Sequence, residues 1–214
     1  MIVHHPSRDV LLSYATGGVP ESISLIIATH LAFCPECRAV VRFGESIGGA
    51  ILESLPPEPV PGAVFEKIDR RLKDCKSAAP ADEPLPSVPG NAPEPLHSYL
   101  GKNLDQVRWI PITSGLAYWP LIGGACSAKL LRSKPGYGIG MHTHKGNEFS
   151  LVLAGGYTDS SGKFGRGDFQ SANVGVLHRP VADEGADCIV LAVTDAPLTF
   201  SNPIIGFIAK AMGY

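Results

Sequence analysis

The chain has 214 residues, 44% of them hydrophobic and 18% charged, with a formal net charge of -2. That balance belongs to a folded protein, leaves no broad basic surface for nucleic acid, and at this length accommodates two small domains. The opening residues MIVHHPSRDV lack the basic and apolar regions of a signal peptide. The apolar run 23–33 contains His30 and is too short for a bilayer core of roughly 30 Å. A cytoplasmic protein is therefore expected, with neither nucleic acid nor a membrane as direct partner.

Residues 1–75 read as helical. The first helix spans 9–16 and stops at Gly17-Gly18. Pro20 and Glu21 open the second, with proline at a first-turn position and an acid near the positive end of the dipole. Its apolar face is Ile23, Ile26, Ile27 and Leu31. Pro35 pushes Cys34 out of the α region, so a third helix starts there and runs to about residue 54. It is expected to bury Val40, Val41, Ile47, Ile51 and Leu55 or near neighbours. The fourth, 62–75, sets Val64, Phe65, Ile68 and Leu72 on one stripe opposite Lys67, Arg70, Arg71 and Lys73.

Residues 76–95 carry six prolines and almost no large apolar side chain, which makes them a semi-extended linker. Beyond it, 96–214 reads as short strands between glycine-centred turns. Candidates are 107–110, 117–120, 125–132, 138–141, 148–154, 156–160, 169–173 and 188–194, with a closing helix at 204–212. The even spacing predicts a sandwich or barrel.

Two groups of residues carry chemistry. His30, Cys34 and Cys37 stand at i, i+4 and i+7, so on helices around the Pro35 break all three face one point. Two thiolates neutralise Zn²⁺ and imidazoles complete a closed tetrahedron. The fourth ligand comes from the His4-His5 pair. A redox dithiol is disfavoured because the C-x-x-C lacks a βαβ setting. Cys75, Cys126 and Cys188 stand alone and read as small apolar residues; His97 reads as solvated.

The second group lies in GYGIGMHTHKGNEFSLVLAG, residues 136–155, followed by GDFQSANVGVLH, residues 167–178. Gly136, His142, His144, Glu148 and Gly155 resemble the first motif of the cupin family, G-x5-H-x-H-x3-E-x6-G, at every spacing. Gly167, Gly175 and His178 match the second motif, in which Asn173 replaces a proline and Ala182 an asparagine. His142 and His144 are two apart, so on a strand both point to one face. Glu148 re-enters from the adjacent strand and His178 from a later one. Three imidazoles and a carboxylate suit Zn²⁺, Mn²⁺, Fe²⁺ or Ni²⁺ and leave a coordination position open.

A helical H-x-x-x-C-x-x-C unit joined to a cupin resembles the ChrR family of zinc-binding anti-sigma factors. The resemblance is carried by HHPSRDVLLSYATGG, ATHLAFCPEC, MHTHKGNEFSLVLAGGY and ADCIVLAVTDAPLTF. It implies two domains: an all-α zinc-binding domain at 1–75, and an all-β cupin, a double-stranded β-helix barrel, at 96–214. It implies His5, His30, Cys34 and Cys37 as zinc ligands, and His142, His144, Glu148 and His178 as ligands of a sensory cupin. The implied partner is an extracytoplasmic-function sigma factor, released under singlet-oxygen or organic-peroxide stress. The competing expectation is a metal-dependent cupin oxygenase or isomerase with an accessory zinc domain. Against it, no cluster of arginines accompanies the motif, which has only Arg132, Lys134, Lys145 and Arg179 nearby.

Overall fold

The computed structural model describes residues 2–74 and 92–200. Four helices come first: α1 (Arg8–Ala15), α2 (Glu21–Phe33), α3 (Pro35–Glu53) and α4 (Gly62–Asp74). The Ser7 hydroxyl caps α1 by accepting the Val10 N–H at 3.3 Å. Gly17, in the left-handed region at φ +71°, ends it. Cys34 closes α2 and opens α3, and its sulfur accepts the Cys37 N–H as a helix cap. Leu25, Ile26, Ile27, Thr29 and His30 make α2 the buried helix of the group.

The far half of α3 departs from expectation. Of its residues only Cys37 and Val41 are buried. Ile47, Ile51 and Leu55 are 47%, 60% and 57% exposed, alongside Phe43 at 64%. A 3.6-residue repeat reveals that a helix has an apolar face; it does not reveal what covers that face. Helix α4 buries none of its residues, and Phe65 is 74% exposed. No helix among the described residues is long and apolar enough to cross a membrane.

A short helix α5 (Glu94–Leu100), absent from the sequence reading, follows and packs on α2 through the fully buried Leu96. Tyr99 donates a hydrogen bond to Glu21 at 2.7 Å. Glu94 and Pro95, assigned above to the linker, belong to this helix; 75–91, with Cys75, lie outside the described residues. A 3-10 turn (Leu104–Gln106) occupies the approach to the strand expected at 107–110, which shrinks to Ile110–Pro111.

The remaining chain is antiparallel β-structure of the cupin type. Its strands are β1 (Ile110–Pro111), β2 (Leu116–Ile122), β3 (Ser127–Ser133), β4 (His142–His144), β5 (Glu148–Ala154) and β6 (Gly156–Asp159). They continue with β7 (Gly162–Gly165), β8 (Phe169–Ala172), β9 (Val181–Ala182), β10 (Cys188–Thr194) and β11 (Leu198–Phe200). A six-stranded sheet runs β1-β2-β3-β10-β5-β8, with smaller sheets β7-β6-β9 and β11-β4. Strands β7, β9 and β11 are too short to leave a periodic signal in the sequence. At 138–141 the structure has only a bridge from Gly138 to Val181, and the strand begins at His142. The helix expected at 204–212 lies outside the described residues.

Alternation along the central strands explains how one sheet serves both regions. Phe149, Leu151 and Leu153 of β5, with Leu191 and Val193 of β10 and Leu130 of β3, join Leu25, Ile26 and Ile27 of α2 in one core. The intervening residues Glu148, Ser150, Cys188, Val190 and Leu131 line the barrel interior. A strand buried on both faces reads as a continuous apolar run, as LVLA and IVLAV do here.

Candidate metal centres

The first cluster forms where three segments meet. His30 lies one turn before the end of α2, and Cys34 and Cys37 flank the start of α3. His30 Nε2 is 3.3 Å from Cys37 Sγ, and His5 Nδ1 is 3.4 Å from both sulfurs. Two ligands on a tetrahedral zinc, with bonds of about 2.3 Å to sulfur and 2.0 Å to nitrogen, lie about 3.5 Å apart. The donor atoms of all four residues fall within 4.8 Å of one another, so the group can hold a metal ion.

Its electrostatics favour a cation. His30 Nδ1 donates to the Gly167 carbonyl at 3.0 Å. A carbonyl only accepts, so Nδ1 carries the proton and Nε2 presents its lone pair to the cluster. Burial lowers the His30 pKa to about 4, which keeps the ring neutral. Burial, and then Cys34, push the Cys37 thiol up to about 12, a penalty on the thiolate that a bound divalent ion removes. Of the histidine pair, His5 joins the cluster. His4 turns away, its ring 4.3 Å from that of Phe164.

The second cluster sits inside the barrel. His142 and His144 project from β4 on either side of Thr143, and Glu148 starts β5. His178 arrives from a loop that exchanges two backbone hydrogen bonds of 3.1 Å with His142. Its Nε2 lies 3.1 Å from Nε2 of both His142 and His144, and Glu148 Oε2 is 3.4–3.7 Å from a ring nitrogen of each histidine. His144 Nδ1 is shielded from solvent and makes no hydrogen bond. Burial alone would raise the Glu148 pKa, but the imidazoles of His142, His178 and His144 around it hold it at about 2. Burial lowers His144. His178 moves the other way, because Glu148 and Asp159 outweigh the same burial.

Partners behind the ligands were not legible from spacing. The Gly140 carbonyl accepts from His142 Nδ1 at 2.8 Å, and Asp159 Oδ2 accepts from His178 Nδ1 at 2.8 Å. Gln170 donates to the same Asp159 oxygen and accepts from the Tyr157 hydroxyl, each at 2.8 Å. These bonds fix the His142 and His178 rings with Nε2 inward. Tyr157, Cys188 and Ser150 share the lining of a cavity of about 30 Å³ with His142, Glu148 and His178. Cys126 is half-buried and Cys188 buried. His97 is half-buried on α5 and belongs to neither cluster.

Fold and donor sets together define a class: a cupin with an imidazole–carboxylate cluster inside, preceded by helices that carry a thiol–imidazole cluster. Residues 99–197 match the family described as the ChrR cupin-like domain. The chain is 38% identical over 206 residues to the anti-sigma-E factor ChrR of Cereibacter sphaeroides, covering 94% of this chain and 93% of that protein. It also superposes on a chain from the crystal structure of Rhodobacter sphaeroides SigE in complex with the anti-sigma ChrR. That match has a TM-score of 0.78 and 36% identity, over 91% of this chain and all of the other. The chain belongs to the ChrR family of anti-sigma factors.

Proposed function

We propose that this protein sequesters an extracytoplasmic-function sigma factor with its helical region and releases it when an oxidant acts on the cupin. The observation that carries the first half is the apolar surface that α3 and α4 expose among the described residues, including Phe43, Ile51, Phe65 and Leu72, in a chain so similar to anti-sigma ChrR. Apolar faces of this extent on a folded protein mark partner sites. Amphipathic helices of this kind bind by laying that face into a groove.

Zinc at His5, His30, Cys34 and Cys37 preorganises the helices that present this surface. His142, His144, Glu148 and His178 hold a divalent ion (Zn, Mn, Fe or Ni) as the sensor. The cupin cavity of about 30 Å³ supports a signal rather than turnover. It has room for something of the size of water or peroxide, whereas sites for organic substrates are commonly 300–1,000 Å³. Moving the bound population from about 99:1 to 1:99 takes about 5.5 kcal/mol of differential free energy, on the scale of losing a metal ligand.

The test is transcription in vitro with core polymerase, an extracytoplasmic-function sigma factor from the same genome and the full-length, zinc-loaded chain. The wild type is expected to silence the promoter at near-equimolar ratio, and Phe65→Asp with Ile68→Asp to require at least tenfold more protein. No silencing at tenfold excess overturns the anti-sigma reading. A chain carrying alanine at His142, His144 and Glu148 is expected to silence normally and to resist release by singlet oxygen or an organic hydroperoxide. Normal release from that variant overturns the sensory half.

A further inference from the structure

Two of the four residues in the N-terminal cluster are held by the barrel. Asp168, in the turn between β7 and β8, is 5% exposed. Its Oδ1 accepts the Val3 N–H at 2.8 Å and the His4 N–H at 3.0 Å, and its Oδ2 accepts the Gly165 N–H at 2.9 Å. The next residue, Phe169, donates its N–H to the His4 carbonyl at 3.0 Å. Residues 3 and 4 are thereby pinned to the barrel, and the following residue is His5, placed against both sulfurs. From the same turn, the Gly167 carbonyl sets the tautomer of His30.

Gly167 itself is shaped for this seam. Its φ is +90°, and a Cβ there would lie 2.8 Å from Ile2 Cδ1 and 3.5 Å from Phe33 Cβ, so backbone and N-terminal segment approach as closely as hydrogen allows. His4 locks the contact from the other side, with its ring against Phe164 and Nδ1 3.7 Å from Asp168 Oδ2. The helices alone therefore supply the two thiols and one unoriented imidazole. The remaining geometry comes from more than a hundred residues away in sequence.

We propose that residues 165–168 of the cupin are part of the N-terminal metal centre, with Asp168 as its positioning residue. The Asp168 carboxylate delivers His5, the Gly167 carbonyl orients His30, and neither touches the ion. Outer partners of this kind typically govern metal affinity by 10–100-fold. The proposal rests on the reading that this cluster binds a metal, and the experiment separates the two.

The measurement is Co²⁺ titration of the full-length chain, following the thiolate-to-cobalt charge-transfer band. The four cupin residues include no sulfur donor, and with Cys188, which lines their cavity, replaced by serine throughout, the band reports the N-terminal cluster. Asp168→Ala is expected to weaken cobalt binding at this site at least tenfold. Asp168→Asn keeps an oxygen that can accept from Val3 and His4 but turns its NH2 towards the Gly165 N–H, and is expected to weaken binding less than Asp168→Ala. Val3→Pro removes one of the bonds from the N-terminal side without altering the barrel, and is expected to weaken binding severalfold. Lys163→Ala, at an exposed ion pair nearby, is the control and is expected to change nothing. Wild-type affinity in Val3→Pro together with a folded Asp168→Ala overturns the proposal. If Asp168→Ala does not fold, Val3→Pro decides alone. A wild-type chain that gives no charge-transfer band overturns the metal reading beneath it.

Discussion

The two ligand clusters differ in how they are built. The cupin cluster is assembled by two strands and a loop of one barrel, and the side chains of His142, His144, His178 and Glu148 are between 1% and 7% exposed. The N-terminal cluster is assembled at a seam: two cysteines at a helix junction, one histidine oriented by the barrel, and His5, 29% exposed, on the segment ahead of α1. A site inside a barrel is as stable as the barrel. A site at a seam is as stable as the contact between two regions, so it can respond when that contact changes. Strand β8 and its turn touch both, through Asp168 on one side and through Gln170 and Asp159 behind His178 on the other.

The sharpest way to break this contrast is to remove the sulfur donors. On the proposal that this cluster binds zinc, Cys34→Ser with Cys37→Ser is expected to cost the chain one equivalent of the metal and much of its helical circular dichroism, because structural zinc contributes about 10–16 kcal/mol in small zinc-dependent folds. The cupin is expected to keep its metal. Loss of both equivalents, by mass spectrometry of the intact chain, would show that the sites are not separately built.

Acid separates the two regions next. In the metal-free chain, folding lowers the His30 pKa from 6.5 to about 4 through burial. The unfolded chain thus takes up that proton first. The stabilisation is complete above pH 6.5 and lost as pH falls towards 4, an effect of up to about 3 kcal/mol. In the barrel, His144 is lowered and His178 raised, so their contributions oppose each other. Glu148, held at about 2 against an ordinary 4.5, stabilises above pH 4.5 and loses its effect only as pH falls towards 2. Hydrogen exchange is expected to show the helices opening between pH 6.5 and 4.5 while the barrel amides stay protected. Simultaneous opening contradicts this.

Gly167→Ala probes the seam sterically. With φ at +90° and Ile2 in the way, the substitution is expected to destabilise the chain by about 1–3 kcal/mol, read by denaturant unfolding, and to free residues 2–5 to proteolysis. The smallest effect belongs to the uncovered surface. Phe65→Asp is expected to change folding stability by less than about 0.5 kcal/mol, since that side chain is 74% exposed, while lowering sigma affinity. A large loss of stability there would mean that α4 is covered within this chain.

The sequence by itself determined the elements whose signal is local. Proline and glycine at helix ends marked α1 to α3, and a spacing of two on a strand or of three and four on helices marked the donors in each cluster. Local geometry dictates those relations, so periodicity carries them. Tertiary structure alone decided the rest. It supplied the reason that His5, the histidine the resemblance implied, enters the cluster and His4 does not: Phe164 and Asp168 take up His4. It left Ile47, Ile51 and Leu55 uncovered, and it put Asp159, Gln170 and Asp168 behind the ligands. A hydrogen bond between residues 164 positions apart, such as His4 to Asp168, leaves no periodic trace along the chain. Only the folded sheet brings its two ends together.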